Sequence, residues 1–124
     1  MVQDTTTLIE VRDEYYFEKF IQIKDWENRL EFICSRSFNY DAAKMYGKKV
    51  QHCQNNAYIL KQDDHYLYYS ESKLVSGMMN ILAHVYKGST LLQQHTYKPR
   101  FLELLVDIVP DQTINNLLKA FREA

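Results

Sequence analysis

The stretch that most constrains the fold is an apolar segment over residues 74–89, LVSGMMNILAHVYKGS. Four of its apolar residues recur at intervals of four, three and four positions, as on the buried face of an amphipathic helix: Leu74, Met78, Ile81 and Val85. Gly77 is the one strong helix breaker inside the segment and should cost about 1 kcal/mol relative to alanine. Gly88 is placed to form a left-handed C-terminal cap. We therefore predict a helix with one buried face, around which the rest of the chain packs.

The first part of the chain also shows helical spacing of its apolar residues. A helix is predicted to begin near Thr7, because Thr7 and Glu10 have the spacing of a capping box. It is expected to run to about Arg36, either as one continuous helix or as two helices separated near Asp25.

A second helix is predicted to follow Asn39 or Asp41, either of which is a good N-cap, and to run to about Lys61. Its buried stripe is expected to extend from Ala42 to Leu60. Residues 62–69 should then form a loop, or the first turns of the next helix.

Prolines mark the predicted boundaries in the C-terminal part. Residues 90–97 are expected to form a short helical turn, and a deeply buried helix should begin at Pro99 and end at Pro110. Asp111 is a good N-cap for a final helix.

No segment stands out by the alternating apolar and polar pattern of a strand, and three glycines and two prolines suit long helices better than a many-turned β fold. The predicted fold is therefore all-α: an antiparallel bundle of four to five helices, in a single domain that spans residues 1–124. Ile81 and Leu105 are expected in its core.

Composition limits the classes of function. The net charge of −1 argues against bulk electrostatic attraction to nucleic acid or membrane. A polar N-terminus and the lack of a long apolar run predict no signal peptide, no transmembrane helix and a cytoplasmic location. Cys34 and Cys53 form no zinc-binding or redox pattern, so we expect two buried thiols in a reducing compartment, with no metal and no cofactor.

The near-neutral net charge conceals an uneven distribution of charged residues along the chain. Residues 1–31 hold eight acids and four bases, whereas residues 32–62 hold one acid and five bases. Basic groups on the predicted second helix form a candidate binding face: Lys44, Lys48, Lys49 and His52. This face either complements the acidic first helix and solvent, or docks an acidic partner or a phosphate backbone, the nucleic acid being the less favoured partner. Three tyrosines form a second candidate contact patch: Tyr66, Tyr68 and Tyr69.

The end of the segment at 74–89 carries the one string with a chemical interpretation, His84-Val85-Tyr86-Lys87-Gly88-Ser89. It resembles the phosphoacceptor motif of histidine phosphotransfer domains, which are four-helix bundles. The resemblance implies that His84 accepts a phosphoryl group from a receiver aspartate. It also implies that Lys87 stabilises the phosphoryl oxygens and that Gly88 leaves room for the receiver. The bulkier residues that follow, Leu91 and Leu92, depart from the small residues of that family.

No phosphate-binding glycine loop, metalloprotease motif or nucleophile elbow occurs in the chain. We therefore expect a non-enzymatic protein-interaction module, such as a regulatory small subunit, adaptor, immunity protein or inhibitor, that binds another protein. Histidine phosphotransfer through His84 is the first alternative. A small helical subunit of a nucleoprotein complex is the second.

Overall fold

A computed structural model describes residues 8–52 and 56–124, and its architecture is mixed α/β. Helices account for 61% of the described residues, as the periodicity indicates, but a three-stranded antiparallel sheet is also present. The α-helices are α1 (Leu8–Gln22), α2 (Trp26–Ser35), α3 (Asp41–Tyr46), α4 (Lys73–Tyr86), α5 (Leu91–Thr96) and α6 (Asp111–Glu123). The strands are β1 (Lys48–Lys49), β2 (Ala57–Gln62) and β3 (His65–Ser70), and a 3-10 helix spans Arg100–Leu105. The prediction of an all-α bundle is therefore wrong.

The sheet replaces most of the predicted second helix. Strands β2 and β3 form a hairpin in which Ala57 pairs with Ser70 and Gln62 with His65. The connection is a tight turn in which Asp63 has a φ of 57°, a conformation that aspartate tolerates better than most residues. Strand β1 adds to the other edge of β2, with Lys48 opposite Ile59.

Gly47 explains why α3 stops after six residues. A Cβ at this position would lie 2.4 Å from the Ala43 carbonyl oxygen and 2.6 Å from that of Ile59. The chain therefore passes so close to β2 that only glycine fits, and it continues directly into β1. At the other end of α3, the Tyr40 amide donates to the Tyr68 carbonyl (2.8 Å), so α3 connects the β3 edge of the sheet to β1.

The first predicted helix is two helices, α1 and α2, separated near Asp25, which is the second of the two predicted alternatives. Asp25 caps α2 by accepting a hydrogen bond from the Asn28 amide (2.8 Å). The predicted cap at Thr7 lies outside the described residues.

Helix α4 is the centre of the fold, as predicted. It packs against α1, α2 and β3, and most of its residues are buried. The Ser72 hydroxyl accepts from the Val75 amide (3.2 Å) at its start, and Gly88 has a φ of 74° just after its end. Ile81 and Leu105 are fully buried, which confirms their assignment to the core.

The C-terminal part starts its elements where predicted, but the helix expected from Pro99 to Pro110 is a 3-10 helix that ends at Leu105, and Val106 after it is exposed. Thr90 forms a capping box with Gln93 at the start of α5. After Pro99 the chain forms the 3-10 helix rather than an α-helix, and its first amides are held by Asp13 of α1. Helix α6 buries the stripe Ile114, Leu117, Leu118 and Phe121. Within residues 8–52 and 56–124, no helix is long and apolar enough to cross a membrane.

Candidate functional site

A recess of about 380 Å³ lies between strand β1 and helix α6, and basic side chains surround it. We call it the basic recess and define it by its lining residues: Lys48, Lys49, Gln51, His52, Ile59, Asn116, Lys119, Ala120 and Glu123. Three of the lining side chains are lysines and only one is an acid. The recess is therefore suited to negatively charged groups.

Two hydrogen bonds join the walls of the basic recess. The Lys48 ammonium donates to the Glu123 carbonyl (2.7 Å), and the Asn116 side-chain amide donates to the His52 carbonyl (3.2 Å). His52 itself has a φ of 61°, in the left-handed region that non-glycine residues rarely adopt. Backbone strain of this kind persists where surrounding contacts enforce it, and it is concentrated at functional sites. Asn116 supplies one such contact.

The predicted binding lysines do not share one helix face. Lys44 lies on α3, where its ammonium is 5.0 Å from the centre of the Tyr69 ring, and only Lys48 and Lys49 line the basic recess, together with His52. Met45 and Tyr46 at the end of α3 leave 68% and 73% of their surface exposed, shortly before β1 in the chain. Exposed apolar and basic groups are therefore combined on the segment that leads into the recess, as at many protein interfaces.

The three tyrosines of the predicted contact patch are separated by the alternation of β3. Tyr66 and Tyr68 point into the core, and burial raises the pKa of both phenols above the ordinary value of 10.0. Tyr69 points to the opposite face and is half-buried. Only Tyr69 of the three thus retains substantial accessible surface.

Of the two cysteines, Cys34 lies within the described residues. Cys34 lies on α2 and is half-buried. Cys53 lies outside the described residues, but it is bonded directly to His52 of the basic recess. Within the described part of the chain, no cluster of three or more His, Cys, Asp or Glu side chains could hold a metal ion.

His84 is exposed near the end of α4, and its Nδ1 atom lies 2.7 Å from the Tyr16 hydroxyl. Partial burial, followed by the positive charges of Arg12, Arg36 and Lys87, lowers the pKa of His84 below 6.5. The neighbours of the imidazole are thus a tyrosine and cations, rather than a ring of small residues. Gly88 follows the C-cap residue Lys87 with a φ of 74°, and its amide donates to the Asp64 carbonyl (2.7 Å).

Sequence spacing did not identify the α6 wall of the basic recess. Asn116, Lys119 and Glu123 recur at intervals of three and four, so they share the polar face of α6 opposite its buried stripe. This spacing is visible in the sequence, but nothing in it indicates that the face meets Lys48 and Lys49.

Comparison with protein families gives one result that covers most of the chain. The model of the SufE family, described as an Fe–S metabolism associated domain, matches residues 14–119, more than four-fifths of the sequence. A comparison with individual curated proteins gives no significant match. The predicted resemblance to histidine phosphotransfer domains is therefore wrong: it rested on a short string around His84, whereas the family match spans residues 14–119. The generic regulatory role predicted for the interaction module is also wrong, since the family is one of Fe–S metabolism.

Proposed function

Because the chain belongs to the SufE family of Fe–S metabolism associated domains, we propose that it binds a cysteine desulfurase and accepts sulfur from it on Cys53. The basic recess, from which the chain continues into Cys53, is the observation that carries this proposal. The function agrees in its broad class with a protein that acts by binding another protein. Its specific chemistry is sulfur transfer.

The cysteine content favours a carrier of sulfur over a carrier of an assembled cluster. Iron–sulfur clusters are commonly held by four cysteine ligands, and the whole sequence contains two cysteines. Transfer of one sulfur atom needs a single thiolate, which is the nucleophilic form of cysteine. A chain with two cysteines and a basic recess is suited to the transfer of single sulfur atoms.

Cys53 is favoured over Cys34 because of its place in the sequence. Cationic neighbours favour the thiolate, and Cys53 directly follows His52, a residue that lines the basic recess together with Lys48, Lys49 and Lys119. Cys34 is half-buried on α2, which packs against the central helix α4.

The transfer step is a thiol exchange in which atoms and electrons balance. The Cys53 thiolate attacks the terminal sulfur of a persulfide on the desulfurase and forms a new sulfur–sulfur bond with it. The sulfur–sulfur bond within the donor breaks, and its electron pair leaves on the donor cysteine as a thiolate. The terminal sulfur thus moves as a sulfane atom, and no external oxidant or reductant is needed.

The recess lysines are proposed to dock the acidic surface of the partner around the donor cysteine. Lys48, Lys49 and Lys119 supply charge, while Met45 and Tyr46 supply exposed apolar area beside it. Electrostatic complementarity of this kind raises the association rate and makes it dependent on salt.

Mass spectrometry of the intact protein after incubation with a cysteine desulfurase and cysteine tests the chemistry. We expect the wild type and Cys34→Ser to gain the mass of sulfur, and Cys53→Ser to gain none. A wild-type protein that stays unmodified, or a gain that is lost in Cys34→Ser instead, would contradict the assignment.

Docking is tested separately with the triple variant Lys44→Glu, Lys48→Glu and Lys49→Glu. We expect weaker binding to the desulfurase and a smaller dependence of binding on salt. The matched control is the double variant Lys73→Glu and Lys98→Glu, which changes exposed lysines outside the basic recess. Equal binding by both variants would show that the recess is ordinary solvated surface.

A further inference from the structure

A second polar site lies where α1, the end of α2 and α4 meet, and it shares no residue with the basic recess. At its centre the Tyr16 hydroxyl lies 2.9 Å from Arg36 Nη2 and 2.7 Å from His84 Nδ1. Arg36 also donates through Nε to the Asn80 side-chain oxygen (2.9 Å). Since Tyr16 is fully buried, the guanidinium and the imidazole are held in fixed positions at the surface.

The direction of these hydrogen bonds determines where the His84 proton lies. A guanidinium is a donor only, so the Tyr16 oxygen accepts from Arg36. The buried Tyr16 hydroxyl still carries one proton, and His84 Nδ1 is the acceptor that the described residues offer it, so we assign this proton to the Tyr16–His84 hydrogen bond. His84 is therefore neutral with its proton on Nε2, and this N–H remains as a donor. Partial burial, followed by the nearby cations, lowers the pKa of His84 and favours the same neutral form.

Three cations surround this donor. Lys87 is the residue directly after α4, three positions past His84, and Arg12 donates from α1 to the Lys87 carbonyl. Among the described residues, the site thus presents donors and positive charge, and none of its three cations, Arg12, Arg36 and Lys87, has an acidic ion-pair partner.

We propose that Arg12, Arg36, His84 and Lys87 form a non-covalent binding site for a phosphate group. A phosphate group carries a charge of about −1.5 to −2 near pH 7, which complements three cations better than the single charge of a carboxylate does. Arginine side chains match the oxygens of phosphate in geometry, and the His84 Nε2–H adds a directed hydrogen bond. The ligand is either inorganic phosphate or the phosphate of a small phosphomonoester.

Nitrogen NMR of the His84 imidazole tests the site in the intact protein. Inorganic phosphate and glycerol phosphate are titrated separately at constant ionic strength, with chloride and acetate as reference anions. We expect the chemical shift of Nε2 to change in a saturable way with both phosphates. The phosphate with the lower Kd identifies the ligand class. A shift that does not saturate, or equal shifts with chloride or acetate, would overturn the proposal.

Charge variants locate the binding. Lys87→Gln should weaken phosphate binding roughly tenfold, because it removes one charge-assisted contact. Arg12→Gln should weaken it similarly, whereas Lys73→Gln, at an exposed position outside both sites, should leave it unchanged. Equal weakening by Lys73→Gln and Lys87→Gln would assign the effect to overall charge and would refute the site. The sulfur transfer of Cys53 is measured in the same variants, so failure of one proposal is distinguishable from failure of the other.

Discussion

Substituting Gly77 with alanine tests whether close packing or helix propensity decides the stability of the central helix. Propensity alone predicts that Gly77→Ala stabilises α4 by about 1 kcal/mol, since glycine is a poor helix former. The structure predicts the opposite. A Cβ at Gly77 would lie 1.9 Å from the Ile33 carbonyl oxygen of α2, whereas real Cβ contacts stay above 3.0 Å. The two helices would have to separate by about 1 Å.

The loss of unfolding free energy in Gly77→Ala depends on which atom the new Cβ would contact. A side chain could rotate away, but the Ile33 carbonyl belongs to the backbone of a helix and can move only with it. Overpacking costs about 1–3 kcal/mol, and a backbone clash belongs at the upper end. After the propensity gain, the net loss of unfolding free energy should be roughly 2 kcal/mol, or a fall in Tm of roughly 8 °C.

Urea denaturation followed by circular dichroism measures this loss. The control is Lys73→Ala, an exposed position at the start of α4 that should change the free energy of unfolding by less than about 0.5 kcal/mol. A Gly77→Ala variant at least as stable as the wild type would refute the close approach of α2 and α4.

Three further predictions concern other parts of the fold and are measured by the same denaturation assay. Asp13→Ala should cost about 2–4 kcal/mol, because it leaves the buried amides of the 3-10 helix without their carboxylate acceptor; a neutral change would contradict this role. Ile81→Ala and Leu105→Ala should each cost about 2–5 kcal/mol, and losses below 0.5 kcal/mol would show that neither is a core residue. Folding lowers the pKa of His84, so below pH 6.5 the unfolded chain binds more protons than the folded one. The free energy of unfolding of the wild type should therefore decrease as the pH is lowered through this range. An equal decrease in His84→Gln would refute this.

Elements specified by local chemistry could be predicted from the sequence. Helix α4 has an apolar stripe and a glycine with positive φ shortly after its end, and α6 has four buried residues at helical spacing. The break between α1 and α2 occurs at Asp25, and the short helix α5 begins after Thr90. In each case the residues that determine the element lie within a few positions of one another.

The hairpin was not predicted, because its alternation is concealed. On β2, Ala57 and Ile59 are buried, but the residues between and after them, Tyr58 and Leu60, are also largely apolar and half-buried. A strand with apolar residues on both faces loses its period of two, and its apolar positions then match a helical stripe equally well. Gly47, and the Asp63-Asp64 pair between two β-prone runs, were the local features that favoured strands.

The candidate site shows a second limit of local patterns, since its two walls are far apart in sequence. Lys48, Lys49 and His52 stand out as a basic group in the sequence, but they form a recess only because α6 lies against β1. Two hydrogen bonds join these walls, from the Lys48 ammonium to the Glu123 carbonyl and from the Asn116 side-chain amide to the His52 carbonyl. Asn116 lies on the face of α6 opposite the buried stripe. The core of the C-terminal helix therefore contributes to the placement of the residue that precedes Cys53. A net charge of −1 conceals this arrangement, because the acids that balance the recess lie elsewhere on the chain, most densely in the first 31 residues.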